Sequence, residues 1–447
     1  MFYRTTRRQL LATAATAAVF GSLISAGRVA ALDHGAGAIS AHGIDPMLGI
    51  NPSTGTVFLS WVEPAAHPDE AADGSAAATP AGDDHDMAMP ATGKVLVARS
   101  TDGGKTFGEP VSASGDDVGV TTYPGGSPQV FAGSKGEVYV AYDLNLPHEG
   151  VPWGRDMLRL ARSDDACVTF SPAIDIFADL DVVEAGTYQD VVAAPDGTIY
   201  AAWLSYRQYV PENGVSEDDA FTQIRVARSD DGGMSFQPSV LVDEMSCECC
   251  RTSLSVGPDN TLYLAWRDQI PQSDGGDPVR NMVISHSTDK GATWSAPVPI
   301  HDDAWRFGQC PESGPVIAVG GEGAIHAAWF TGKDDGPGVY YAASTDGGAT
   351  FSVPQTLATD GYFPHANVRG FLDDAGVFWV TWDDARTEEG AVQLVQISPD
   401  GKVSAVPSDA SSGLTPDVVR AGANVVLTWL TDVGVQLQVM AAPEADA

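Results

Sequence analysis

Apolar positions along this chain fall into short runs that close on a large aromatic residue. Seven such runs recur: Val57-Phe58-Leu59-Ser60-Trp61, Val138-Tyr139-Val140-Ala141-Tyr142, Ile199-Tyr200-Ala201-Ala202-Trp203, Leu262-Tyr263-Leu264-Ala265-Trp266, Ile325-His326-Ala327-Ala328-Trp329, Val377-Phe378-Trp379-Val380-Thr381-Trp382 and Val425-Val426-Leu427-Thr428-Trp429. Short runs of β-branched and aromatic residues bounded by turn residues read as buried strands. Most follow a turn signal, such as Pro195-Asp196-Gly197 or Pro258-Asp259-Asn260, with another apolar run ahead of it.

A polar pattern interleaves with these strands. Ser-x-Asp-x-Gly-x-Thr-Phe/Trp occurs at Ser100–Phe107, Ser229–Phe236 (with Ser235 for Thr), Ser287–Trp294 and Ser344–Phe351. Ser163–Phe170 is a variant with Cys167 at the glycine position, and Ser398-Pro399-Asp400-Gly401 is a decayed copy. Successive copies are 54 to 66 residues apart. The unit is a hairpin turn: the Asp carboxylate bonds backbone amides just ahead of it, Gly supplies positive φ, and the closing aromatic is expected to bury itself beneath the turn. These Asp residues are therefore structural. Each repeat reads strand, turn, aromatic strand, loop, strand, Asp turn, strand, which predicts four antiparallel strands per unit and an all-β propeller.

The Asp turns and aromatic strands together resemble the Asp-box (BNR repeat) β-propellers of the sialidase superfamily, over nearly the whole chain. Catalytic sialidases of this kind usually have six blades, whereas seven aromatic strands are present here. The last unit, from Thr415 to about Met440, lacks an Asp turn and has three strands. We expect seven blades, the last completed by an N-terminal strand around Ala38 to Ile44; six blades plus an extra sheet is the alternative.

The ends and the charge refine this picture. Arg4, Arg7 and Arg8 precede an apolar run from Leu10 to about Ala26, and Val29-Ala30-Ala31 offers small residues for cleavage. This predicts an export signal over residues 1–31. Thr6-Arg7-Arg8-Gln9-Leu10-Leu11 resembles the twin-arginine pattern, which implies export of a folded protein to the periplasm or beyond. Residues 32–447 then form one propeller domain. No later apolar run approaches the roughly 20 residues of a membrane span. Removing four arginines and no acids moves the net charge from −35 to about −39. Such a surface repels nucleic acid and anionic membranes. Residues 63–93, rich in Ala, Asp and Pro, read as a low-complexity loop inserted in the first blade. The loop carries His67 and His85-Asp86-Met87-Ala88-Met89, a string that can collect copper but reads more simply as part of the insertion.

Candidate chemistry concentrates in one stretch. Cys247-Glu248-Cys249-Cys250 holds three of five cysteines, with Cys310 one repeat further on. In a propeller the innermost strand of each blade starts near the central channel on one face. The inner strands are predicted to start near Asp45, Tyr123, Tyr188-Gln189-Asp190, Cys250-Arg251, Cys310-Pro311-Glu312, His365 and Pro416-Asp417, so Cys250, Cys310 and His365 come from consecutive blades. Thiolates suit soft metals, Cu(I) or Zn(II). The predicted metal set is Cys247, Cys249, Cys250 and Cys310 with His365 as a further ligand, copper being expected and zinc the alternative. Disulfide stapling, for instance Cys247 or Cys250 to Cys310, would leave no metal, and a redox-active thiol pair is a third reading. Adjacent Cys249 and Cys250 cannot easily bridge each other. Cys167, in an exposed Asp turn, is expected to be a bystander, and His326 to be packed. Cys-x-Cys-Cys, Trp305-Arg306-Phe307-Gly308-Gln309-Cys310-Pro311 and Ala328-Trp329-Phe330-Thr331-Gly332 resemble a subgroup of bacterial exported sialidase-like proteins, which implies a thiol or metal role.

The sialidase resemblance also implies an arginine triad on a carboxylate, a Tyr–Glu pair and an Asp acid/base. The early Arg-Ile-Pro signature is absent, Gly43-Ile44-Asp45-Pro46 standing near its place. Weak catalytic candidates are Arg251, Arg369, Tyr188, Asp190 and Glu312, with Arg267 and Arg306 as further arginines. Arg267 and Asp268 are expected to pair with each other. The expected partner is a metal ion or a small-molecule or glycan ligand. An exo-sialidase-type glycoside hydrolase and a non-catalytic binding propeller stapled by disulfides remain as alternative functions.

Overall fold

The computed structural model describes residues 37–65, 93–117, 119–121, 126, 128–148, 151–177, 179–180, 184–207, 221–309, 311–359, 367–384 and 390–442. The expected export signal, most of the inserted loop, Tyr123, Cys310 and His365 lie outside the described residues.

The described residues form strands and no helix. After β1 (Gly37–Ser40) come β2 (Ile44–Asn51), β3 (Thr56–Pro64), β4 (Gly93–Ser100), β5 (Val111–Ser112), β6 (Val120–Thr121), β7 (Gln129–Ala132), β8 (Val138–His148), β9 (Val151–Ser163) and β10 (Ile174–Asp175). Strands β2 to β10 make a nine-stranded sheet, joined where β6 pairs with both β4 and β8. It consists of two antiparallel four-strand groups, β2–β5 and β7–β10. Four-stranded sheets follow in chain order. They are β11 (Glu184–Ala193), β12 (Ile199–Arg207), β13 (Phe221–Ser229) and β14 (Val240–Asp243); then β15 (Ser253–Val256), β16 (Leu262–Arg267), β17 (Met282–Ser287) and β18 (Val298–Pro299). Next come β19 (Val316–Val319), β20 (Ile325–Thr331), β21 (Gly338–Ser344) and β22 (Gln355–Thr359), then β23 (Arg369–Leu372), β24 (Phe378–Asp383), β25 (Val392–Ile397) and β26 (Val403–Ala405). Finally β27 (Leu414–Ala421), β28 (Asn424–Thr431) and β29 (Gly434–Ala441) are completed by β1, which pairs antiparallel with β29. The N-terminal strand thus completes the last sheet; it begins one residue before the expected Ala38 and ends at Ser40, four residues short of Ile44.

Every predicted aromatic strand is the second strand of its group, and Trp61, Trp203, Trp266, Trp329 and Trp379 are fully buried. The innermost strands β2, β7, β11, β15, β19, β23 and β27 touch in succession, and β27 returns to β2. Apolar cores fill the interfaces between neighbouring groups, as with Tyr200, Leu204 and Val226 against Leu254, Leu264 and Trp266. A sheet that buries both faces reads as a nearly continuous apolar run, which is why these strands stood out.

Polar side chains tie the inner strands across the interfaces. Asp190 accepts hydrogen bonds from Gln129 Nε2 at 2.7 Å and from Leu254 N at 2.7 Å, so it links three groups. Ser253 Oγ accepts from Ile317 N at 3.0 Å, Asp383 from Thr415 N at 3.0 Å, and Asp417 from Leu48 N at 2.8 Å.

The Asp turns form as the residue chemistry requires. In Ser287–Trp294 the Thr293 hydroxyl donates to Asp289 at 2.6 Å, Thr293 N donates at 2.9 Å, and the Ser287 hydroxyl donates at 2.8 Å. The same three bonds recur at Asp346. The threonine hydroxyl first, then its amide, hold Asp289 and Asp346 at about 2, below the usual 3.8. A depressed carboxylate stabilises the fold above its unfolded pKa, and that contribution is lost as pH falls through the folded one. Asp346→Asn is therefore expected to cost the same stability at every pH above about 4, and progressively less between about pH 4 and 2. Paired urea titrations across this range check it; a difference that stays constant down to pH 2 rules out an ionised Asp346 as the turn's acceptor.

Two details differ from the expectation. The closing aromatics Phe107, Phe170, Phe236, Trp294 and Phe351 are half-buried. Cys167 is buried, not exposed, and occupies the glycine position at φ 65°. Its small apolar side chain joins the core between β3–β4 and β8–β9, and burial pushes the thiol up to about 12.

Candidate thiolate centre beside the channel

The cysteine stretch lies between β14 and β15 and forms a tight turn with Glu248 and Cys249 at its centre. The ends of a four-residue turn approach within 7 Å, so Cys247 and Cys250 are brought together by local geometry. Their sulfurs are 3.0 Å apart, and Cys247 Sγ lies 3.9 Å from Cys249 Sγ. All three sulfurs lie within 4.8 Å of one another. Relative exposure is 0%, 0% and 1% for Cys247, Cys249 and Cys250. Cys247 and Cys250 are free thiols, as is Cys167. Cys249 is disulfide-bonded, and none of these three free thiols is its partner. Stapling therefore uses the middle cysteine of the motif, which differs from the Cys247 or Cys250 bridge taken as an example from sequence.

Two arginines frame the sulfurs. Arg267 ends β16 and is 1% exposed. It donates to Ser313 O at 2.9 Å, Phe330 O at 2.8 Å and Arg280 O at 3.0 Å, and its guanidinium lies over the Trp305 ring at 5.0 Å. The expected pairing with Asp268 does not form; carbonyl oxygens take its donors. Arg280, just ahead of β17, is 2% exposed, donates to Phe307 O at 3.1 Å and meets Glu248 at 3.2 Å. Neither Arg280 nor Glu248 was picked out from sequence. A charged residue two positions before an apolar strand is the only local mark of Arg280.

The two thiols are electrostatically unequal. Burial raises Cys247 well above the ordinary thiol value, and its hydrogen bond to Cys250 raises it further. Burial also acts to raise Cys250. The Cys247 thiol, the Arg267 charge, the Ser313 amide and the Arg280 charge outweigh it and lower Cys250 overall. The two sulfurs share a hydrogen bond at 3.0 Å. The positive charges of Arg267 and Arg280 thus favour the charged form of the Cys250 sulfur.

Tyr188 packs in the same core as the cysteines. Burial first, then the charges of Glu312, Cys250 and Cys247, push its hydroxyl well above the usual value. Asp45, Tyr188, Glu312 and Thr415 all adopt positive φ, between 48° and 56°; Asp45 and Thr415 lie near the starts of β2 and β27, Tyr188 lies within β11, and Glu312 lies four residues ahead of β19. Each such non-glycine residue costs about 1–2 kcal/mol. At three of these places the pairing register shifts, between Ile44 and Met47, Thr187 and Asp190, and Leu414 and Asp417. Bulges of this kind re-aim side chains at a rim.

The other catalytic candidates form a separate group toward the axis. Arg251 and Arg369 are each 8% exposed. Burial and then the Arg369 charge lower Arg251 to about 9, against the attraction of Asp190 and Asp417. Arg251 donates to Val368 O at 2.9 Å. Burial raises Asp190 and Asp417, and the arginines oppose that shift. Arg306 is exposed and pairs with Asp274 at 2.7 Å. His326 is packed, bonded to the Tyr341 hydroxyl at 2.8 Å. So the structure brings Cys247, Cys249, Cys250, Tyr188 and Glu312 into one neighbourhood, and Asp190, Arg251, Arg369 and Asp417 into another.

No helix of the described residues is long and apolar enough to cross a membrane. No protein-family model matches the chain, and no curated protein matches it. Solved structures do match. A Hadza microbial sialidase, Hz136, is 16% identical, with 80% of this chain and 74% of that one covered and a TM-score of 0.50. A polysaccharide lyase of family PL25, an ulvan lyase bound to -[GlcA(1-4)Rha3S]-, is 11% identical, with 91% and 95% covered and a TM-score of 0.54. At these identities the likeness concerns architecture, and the chain has the sialidase-like β-propeller fold.

Proposed function

We propose that this is an exported, seven-bladed sialidase-like propeller whose thiolate centre takes up a soft metal ion, copper(I). The observation that carries the reading is the packing of three buried sulfurs within 4.8 Å of one another. Sulfur is the donor that selects Cu(I) and Zn(II). At a metal–sulfur distance of about 2.3 Å, two tetrahedral thiolates sit about 3.8 Å apart. The Cys247–Cys250 pair at 3.0 Å must therefore open slightly to admit the ion. Cys249 contributes a thiolate only once its disulfide is reduced. Cys310 and His365, from the neighbouring repeats, are the further ligands we assign from sequence.

The charge of the surroundings favours copper over zinc. Two thiolates with Cu(I) carry one net negative charge, and with Zn(II) none. Arg267 and Arg280 stabilise the anionic complex and not the neutral one. Deprotonated sulfur is also the form the arginines favour before any ion arrives.

The exo-sialidase-type reading rests on the fold alone, with Arg251 and Arg369 as its carboxylate grip; both already face Asp190 and Asp417. The binding-propeller reading is what remains if neither chemistry is found. Anaerobic titration of the reduced full-length chain with Cu(I) separates them. About one equivalent should bind, with affinity at least about tenfold lower in Cys247→Ser and Cys250→Ser. Less than about a tenth of an equivalent bound to reduced protein overturns the copper site. Hydrolysis of a fluorescent sialoside that survives both substitutions would establish the glycosidase.

A further inference from the structure

At the end of the strands away from the cysteine turn, the repeat closes its seams with arginine. The second residue of three successive aromatic strands pairs with an arginine on the next strand: Phe58 with Arg99, Tyr139 with Arg162 and Tyr200 with Arg228. Each arginine reaches the Asp turn of the following group and donates to the carbonyl just ahead of its glycine position. Arg99 meets Ala166 O at 2.8 Å, Arg162 meets Gly232 O at 2.6 Å and Arg228 meets Lys290 O at 3.4 Å. Arg162 also lies over the Tyr139 ring at 5.9 Å, and the Tyr139 hydroxyl donates to Gly232 O at 3.0 Å. At the Arg228 seam Lys290 adds a second cation, bonded to Asp196 at 2.9 Å.

The next seam, between β15–β18 and β19–β22, departs from this pattern. Tyr263 pairs with His286 in place of an arginine, and Gly347 stands where the preceding Asp turn has Lys290. The shorter imidazole lies tilted against the Tyr263 ring, centroids 6.1 Å apart. A cavity of about 270 Å³ opens beside it, lined by Pro258, Asp259, Tyr263, Val319 and Glu322 with glycine backbone between them. Asp259 holds the place of Asp196 in the repeat, yet no cationic side chain among the described residues pairs with it or with Glu322. Tyr263 is 7% exposed. Unlike that of Tyr139, its hydroxyl has no hydrogen-bond partner among the described residues.

We propose that this cavity binds a guanidinium group, carried by a small molecule or by an arginine of a polypeptide. The chain itself uses that group at the three preceding seams, and here its place is left to a ligand. The Tyr263 ring offers a face for cation–π attraction, and Asp259 and Glu322 accept charge-assisted N–H bonds. Asp259 is already held by Thr261, whose N and Oγ1 donate to it at 3.0 and 2.9 Å, so this acceptor is preformed. A guanidinium suits the cavity better than an ammonium, because its planar fork serves two carboxylates and stacks on a ring. The net charge of −35 draws cations toward such a place. The cavity lies at the far end of β15 from Cys250, so the inference does not rest on the metal reading.

The test is a ligand-observed NMR titration of the full-length chain with methylguanidinium, with methylammonium for comparison and acetyl-Gly-Arg-Gly-amide as the polypeptide probe. We expect saturable binding of methylguanidinium with a dissociation constant of about 1 mM, and binding of methylammonium at least about fivefold weaker. His286→Arg should set the chain's own guanidinium over Tyr263, as Arg162 lies over Tyr139, and weaken binding at least about tenfold. Glu322→Gln, at an exposed position that leaves the fold intact, should weaken it about three- to tenfold. Peptide binding at least as tight as that of methylguanidinium assigns the cavity to a polypeptide arginine, and weaker peptide binding assigns it to a free guanidinium compound. No binding up to about 50 mM overturns the proposal, as does equal affinity for the two cations or an affinity that both substitutions leave unchanged. Glu322→Gln and the methylammonium comparison decide the matter even if His286→Arg folds poorly.

Discussion

Asp190→Ala is expected to lower the unfolding free energy by about 3 kcal/mol, the cost of stranding buried donors that a carboxylate had satisfied. Asp190 was a weak catalytic candidate on sequence grounds. In the structure its two oxygens take the Gln129 amide at 2.7 Å and the Leu254 N–H at 2.7 Å. Gln129 lies on β7 and Leu254 on β15, so one side chain of β11 spans two interfaces. Alanine leaves both donors buried without an acceptor, and water has little room to replace it at 8% exposure. Urea denaturation of wild type and variant reads the loss. A change under about 1 kcal/mol would show that the inner strands hold together by apolar packing alone and that Asp190 is free for other work.

Gly314→Ala tests the seam between the cysteine turn and the next sheet. A Cβ on Gly314 would lie 2.0 Å from Arg251 O and 2.8 Å from its carbonyl carbon. These are backbone atoms, so no rotamer change relieves the clash; the two segments must separate. Arg251 directly follows Cys250, and Ser313 both donates its amide to the Cys250 sulfur and accepts Arg267 at 2.9 Å. We expect a loss of about 2–3 kcal/mol from overpacking. Cu(I) affinity should fall about 10- to 100-fold, as when groups that orient ligands are displaced. Urea denaturation and competitive Cu(I) titration read the two effects. If affinity is unchanged while stability falls, the sulfurs do not depend on this seam and the placement of Arg267 is irrelevant to them.

Much of the fold was legible because its signals are local. The aromatic strands announce themselves through composition, and the Asp turns through a carboxylate that bonds amides four residues away. The strand completing the last sheet was also foreseeable, since a three-strand unit leaves an unpaired edge. The site was legible only in part. Cys-x-Cys-Cys marks the place, and the turn that it forms brings Cys247 to Cys250. The choice of Cys249 as the disulfide cysteine was not readable, because adjacent cysteines differ in direction and not in chemistry.

The sequence by itself determined the repeated strand units, the turn chemistry, the closing strand and the position of a sulfur cluster beside an inner strand. Each depends on residues within a few positions of one another or on a repeat period. Tertiary structure alone decided the electrostatics. The charges of Arg267 and Arg280 act on Cys250 because strands β16 and β17 fold back beside the turn, and Asp190 becomes a tie because Leu254, 64 residues later, arrives at its carboxylate. Desolvation drives both outcomes. A charge in water is indifferent to distant neighbours, whereas a buried charge must find a counter-charge or a donor, and only the packed ring says which one is there.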